Sequence, residues 1–99
     1  MSFEVVWTQK AKDTFNNNLD YLYEDWDNKV VNDFIDRVDE VVALIESSPK
    51  LFPVHKSRKH IHKCVVTPQI TLYYKIVNNK SIELQAFWNV YQNPKKLKF

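Results

Sequence analysis

The chain has 99 residues and no glycine, so it has room for one domain, residues 1–99, and cannot form a GxGxxG dinucleotide loop, a Walker phosphate loop or a GxSxG nucleophile elbow. Hydrophobic residues make up 44% and charged residues 26%, a globular balance with enough apolar material for a core. The net charge of +2 conceals a division: residues 1–50 hold five Lys/Arg against eleven Asp/Glu (net −6), and residues 51–99 hold nine against one (net +8), an asymmetry that suggests a surface for an acidic partner.

Phe3-Glu4-Val5-Val6-Trp7 is a short β-rich run in which Phe3, Val5 and Trp7 share one face. Thr8 follows as a helix N-cap. The first helix is predicted over residues 9–26, with Ala11, Phe15, Leu19, Leu22, Tyr23 and Trp26 in one apolar stripe and Tyr21 at its edge or in solvent. Asp27 or Asn28 caps a second helix, where Val30, Val31, Phe34, Ile35, Val38, Val41, Val42 and Ile45 keep the same period. So short a connection dictates an antiparallel helical hairpin. Ser47-Ser48-Pro49 ends it, because proline disfavours helix in the residue before it.

Residues 51–60 read as a loop. After it the period changes from 3.6 to 2. Residues 60–66 form a strand, Thr67-Pro68-Gln69 a turn, and Ile70, Leu72, Tyr74 and Ile76 alternate in the next strand. Asn78-Asn79 makes a hairpin turn, since asparagine tolerates positive φ. In the last strand Ile82, Leu84, Ala86 and Trp88 alternate, which assigns Trp88 to the core, and residues 91–99 lie past the sheet. The order βααβββ predicts an α+β domain of two layers, the helical hairpin packed on a twisted antiparallel sheet that the first strand joins from the side.

The densest polar cluster is Lys56-Ser57-Arg58-Lys59-His60-Ile61-His62-Lys63. Its cations could hold a phosphodiester backbone and its imidazoles supply an acid or base; the alternative is a solvated loop whose charges keep an edge strand from pairing. His60, His62 and Cys64 share a strand face, read as the solvent side. Their H-x-H-x-C spacing matches no established zinc pattern, and neither a metal nor a cofactor is expected. Among the aromatics Tyr73 and Tyr91 are the freer candidates for stacking on bases. A single cysteine, a beginning without signal-peptide character and no apolar run of about 18 residues lead to the expectation of a cytoplasmic protein that does not enter a membrane.

Several segments together resemble the RelE/ParE superfamily of bacterial toxins. They are the βααβββ order, Val5-Val6-Trp7-Thr8 followed by Ala11, the stretch from Ser48-Pro49 to Leu51-Phe52-Pro53, the strand Ile70-Thr71-Leu72-Tyr73-Tyr74-Lys75-Ile76, and the ending Ala86-Phe87-Trp88-Asn89-Val90-Tyr91-Gln92-Asn93-Pro94. The resemblance implies the toxin of a type II toxin–antitoxin pair, associated with plasmid stabilization and neutralised by a small antitoxin, expected to be acidic, in a hetero-oligomer. RelE-like members cut mRNA on the ribosome without a metal, whereas ParE-like members bind DNA gyrase. The family's ribonucleases place arginines where this chain has Thr71 and Tyr91, and ParE-like relatives share the second of them; neither Thr71 nor Tyr91 supplies a fixed cation for cleavage, which favours the ParE-like, binding branch. On that reading Lys56, Arg58, Lys59, Lys63, Lys95 and Lys96 contact the target. The alternative is ribosome-dependent cleavage using Arg58, His60, His62 and Tyr91, and a further alternative is a nontoxic antitoxin-binding module.

Overall fold

The computed structural model of the protein describes residues 3–58 and 60–90. Its elements are β1 (Glu4–Trp7), α1 (Gln9–Asp25), α2 (Asn28–Ser47), β2 (Ile61–Thr67), β3 (Ile70–Ile76) and β4 (Ser81–Asn89). The strands form one sheet in the order β1-β4-β3-β2. β2, β3 and β4 are an antiparallel meander, and β1 joins the side of β4 in parallel, which makes the sheet mixed. The parallel pairing follows from the hairpin between β1 and the meander, which carries the chain back to its starting end. The predicted two-layer α+β architecture is the one observed.

The caps lie where local chemistry calls for them. Thr8 Oγ1 accepts from the Ala11 N–H at 3.1 Å and donates to the Leu84 carbonyl at 2.7 Å, so one hydroxyl both starts α1 and ties it to β4. The Asp27 carboxylate accepts from the Val30 N–H at 3.1 Å to start α2. Ser48 closes α2 ahead of Pro49. Val31, Phe34, Val38, Val41 and Ile45 are the buried stripe of α2, as their period requires. On α1, Ala11 and Leu22 are buried, and Phe15 and Leu19 pack partly against the core. Tyr23 and Trp26 are not in that stripe: they are 57% and 48% exposed. Trp26 has left the helix for an extended conformation, and Tyr23 stands about 100° around the axis from Leu22.

The larger departure from simple alternation is in β4. Tyr73 lies opposite Ala86 and Tyr74 opposite Leu84, so Gln85 is an extra residue, a β-bulge. It reverses the parity of everything after it. Phe87 and Asn89 face the helices, while Ala86 and Trp88 face away, so the assignment of Trp88 to the core is corrected. The bulge is held by α1: Thr14 Oγ1 accepts from the Phe87 N–H at 2.9 Å. Asn18 Nδ2 donates to the Phe87 carbonyl at 3.0 Å, and Asn18 Oδ1 accepts from Asn89 Nδ2 at 3.3 Å. Asn18 and Asn89 are both buried and fully engaged, as buried amides must be. The reversal delivers Phe87 into an aromatic cluster with Trp7 and Phe15, at centroid distances of 5.4 and 5.5 Å, and Phe15 stacks on Phe34 at 5.6 Å.

The β3–β4 turn also differs from the sequence expectation. No described residue has positive φ. Asn78 acts instead through its side chain, its Oδ1 accepting from the N–H groups of Lys80 and Ser81 at 2.7 and 2.9 Å.

Candidate functional site

Cross-strand partners share a face of a sheet, so the pairing register defines its outer side. Facing away from the helices, Lys63 lies opposite Tyr73, Val65 opposite Thr71, Thr71 opposite Trp88, Lys75 opposite Glu83 and Val6 opposite Glu83. Val65 is 60% exposed, and Lys63, Thr71, Tyr73, Lys75 and Trp88 are half-buried. Lys75 and Glu83 form an ion pair at 3.6 Å. Its acid lies toward the β1 side, so the β2 side keeps its positive character.

There the segment after α2 folds against β2. The Lys63 N–H donates to the Pro53 carbonyl at 2.9 Å and the His55 N–H to the Ile61 carbonyl at 2.6 Å, so this stretch covers part of the β2 edge. Between it and the outer face is a cleft of about 410 Å³ lined by Phe52, Pro53, Lys63, Val65, Thr71 and Tyr73. The His55 ring lies 5.9 Å from Tyr73. Its Nδ1 accepts from the N–H groups of Ser57 and Arg58 at 3.0 and 3.2 Å, which puts the proton of neutral His55 on Nε2. That imidazole shapes the turn carrying the exposed Lys56 and Arg58. Burial raises the Tyr73 hydroxyl above its ordinary value, so it stays a neutral donor and stacking surface at physiological pH.

The sequence-predicted residues separate into three groups. Lys56, Arg58 and His60 are exposed in the turn entering β2, and Lys63 lines the cleft. Lys59, Tyr91, Lys95 and Lys96 lie outside the described residues. His62 is on the other side of the sheet. It pairs with Tyr74, stacks on that ring at 5.1 Å and bonds through Nδ1 to the Phe52 carbonyl at 2.8 Å; since a carbonyl only accepts, Nδ1 carries the proton. This geometry makes His62 a brace for the 51–55 segment, beside the Tyr74 hydroxyl, which donates to the Pro49 carbonyl at 2.6 Å.

Cys64 shares the parity of His62, as the sequence indicated, but the face is the core face and not the solvent side. The thiol is 1% exposed, and burial pushes it up from 9.0 to about 11, with the Arg37 charge opposing in part. It is therefore a protonated, inert core group at neutral pH. Among the described residues no cluster of three His, Cys, Asp or Glu side chains could hold a metal ion. No helix among them is long and apolar enough to cross a membrane. Lys75, Trp88, Phe52 and His55 join the outer side without having been singled out as site residues. The signal for Lys75 was available, since it shares the parity of Tyr73; Trp88 required knowledge of the bulge.

Cations and half-buried aromatic rings on one face can hold a polyanion or an acidic peptide and stack on planar groups.

No protein-family model and no curated protein sequence matches the chain. Solved structures do. The chromosomal ParDE toxin–antitoxin system from P. aeruginosa includes a chain that superposes with a TM-score of 0.73 at 11% identity, over 90% of this chain and 97% of that one. A YoeB/ParE toxin from Agrobacterium tumefaciens gives 0.64 at 10% identity over 90% and 100%. A chain of the E. coli DinJ–YafQ toxin–antitoxin complex gives 0.62 at 11% identity over 90% and 93%. At these identities the likeness is one of fold: two helices on a four-stranded mixed sheet, in the arrangement of RelE/ParE-type toxins.

Proposed function

We propose that this chain is the toxin of a type II toxin–antitoxin pair, acting in the cytoplasm by binding its target and neutralised by a small acidic antitoxin encoded beside it. The likeness to ParE, YoeB and YafQ folds over nine-tenths of the chain supports the class, and two of those folds come from toxin–antitoxin systems or complexes. The positive β2 side of the sheet supports an acidic partner.

The observation that carries binding over cleavage is His62. His62, the imidazole that the cationic run places within β2, is bonded to the Phe52 carbonyl and stacked on Tyr74, facing away from Lys63 and Thr71. Phosphodiester cleavage needs a proton-transfer group beside the cations that stabilise the developing charge. The withdrawal of His62 supports a ParE-like action, with DNA gyrase as the target, as the favoured reading. Cleavage through Arg58, His60 and Tyr91 on the ribosome is the competing one.

Induced alone, the chain is expected to arrest growth, and co-expression of the neighbouring acidic reading frame to restore it. Charge reversal at Lys56, Arg58 and Lys63 should relieve the arrest while the protein still folds. Accumulating gyrase–DNA breaks with intact mRNA would support binding. Codon-phased mRNA cleavage that survives His62→Ala but not Tyr91→Phe would replace it with the ribonuclease reading, and undisturbed growth would leave the nontoxic module.

A further inference from the structure

On the helical side, away from the outer face, a groove of about 420 Å³ opens between the tip of the α1–α2 hairpin and the β2–β3 turn. Its floor is the core itself, with Leu22, Phe34 and Ile70, and its walls include Trp26 and Val30. Trp26 is left 48% exposed by the extended conformation that ends α1, so a large apolar surface faces water at the mouth.

The charge around this groove is opposite to that of the β2 side. Residues 20–40, which form the hairpin tip and most of α2, hold eight acids and two bases, a net charge of −6. Both bases are already engaged. Lys29 Nζ pairs with Asp33 at 2.9 Å, and Arg37 pairs with Glu40 at 3.3 Å while its Nε donates to the Val66 carbonyl at 3.2 Å. Asp20, Glu24, Asp36 and Asp39 are exposed. Val66 supplies the β2 carbonyl beside the groove, and Arg37 already occupies it, which disfavours an added strand and favours a helix inserting side chains.

We propose that this groove docks an amphipathic helix of a partner protein, with one or two bulky apolar side chains entering beside Trp26 and lysines or arginines meeting the acidic surface of α2. The interaction is separate from the acidic-partner surface on the β2 side, and it stands whether or not that partner is an antitoxin. A protein engaging both sides would need segments of opposite charge, one for each face.

The test uses the full chain and two labelled, helix-stapled peptides with the same Leu/Phe ridge, one carrying Lys and Arg on its flanks and the other Glu. Fluorescence anisotropy should show the basic peptide binding, more weakly as salt is raised, and the acidic one not. Trp26→Ser should weaken binding by at least about tenfold, as loss of a central aromatic anchor does. Asp36→Lys, an exposed change that leaves the core untouched, should weaken it several-fold. Leu44→Ser, at another exposed apolar position of α2 outside the groove, should leave it unchanged. Equal binding of the acidic peptide, no binding of either, or equal losses from Leu44→Ser and Trp26→Ser would overturn the proposal. So would concentration-dependent self-association abolished by Trp26→Ser, which would give the groove to a second copy of the chain.

Discussion

The two faces of the sheet are made from alternate residues of the same four strands, yet they do opposite work. The covered face presents Val5, Trp7, Leu72, Tyr74, Ile82, Leu84 and Phe87 to the helices, and its polar atoms are consumed in fixed bonds. The outer face presents Lys63, Thr71, Tyr73, Lys75 and Trp88, none of them fully buried. What assigns a residue to one face or the other is strand parity, and in β4 parity is decided at Gln85. The bulge sends Trp88 out and Phe87 in, so the same event completes the aromatic core and furnishes the outer surface. Core packing and the make-up of the outer surface are therefore coupled at one backbone irregularity.

Removing that irregularity should have the largest effect. Deletion of Gln85 makes the alternation regular and turns Phe87 and Asn89 outward and Trp88 inward. The expected loss exceeds about 5 kcal/mol, enough to abolish a cooperative urea transition. Gln85→Ala, which keeps the bulge, should stay within about 1 kcal/mol of the parent. Two folded proteins of equal stability would dissolve the link between bulge and core. Next in size is a contrast between the faces. Phe34→Ala, at a site 2% exposed, should cost about 3–5 kcal/mol in denaturant melts, and Val65→Ala, at a site 60% exposed, about 0.5 kcal/mol or less.

This contrast also explains what was legible in the sequence. The helices read well because their signals are local: Thr8 and Asp27 as caps, Pro49 as a stop, and a 3.6 period through α2. The strand boundaries read well for the same reason. The bulge did not, because Ile82-Leu84-Ala86-Trp88 continues a perfect alternation, and the groups that break it, Thr14 and Asn18, lie about 70 residues away. His62 and Cys64 show the same limit. Their shared parity was readable, but which face the helices would cover depended on the sheet's partners. Tyr23 and Trp26 were misassigned because hydrophobicity alone does not show where α1 stops supporting the core. The cationic turn was legible as a charge cluster; its shaping by the His55 imidazole needed the fold.

The smallest expected effect tests whether the covered face is closed as tightly as its geometry implies. Burial holds the Cys64 thiol at about 11 against an ordinary 9.0, and it raises the Tyr74 hydroxyl further still. In both cases the folded state favours the protonated, neutral form more than the unfolded chain does. The resulting stability is fully present below pH 9 and is lost as the pH rises through the folded value, because the unfolded chain releases its proton first. Two pH units of difference at Cys64 correspond to at most about 2–3 kcal/mol. Urea midpoints should therefore be flat up to about pH 9 and fall between about pH 9 and 11, with Cys64→Ala or Cys64→Val flattening the first part of that fall. The thiol should react with iodoacetamide at pH 8 only as fast as the protein opens. Rapid labelling at pH 8 with the fold intact would show that the helices leave β2 uncovered, and the distinction between the two faces would then rest on β3 and β4 alone.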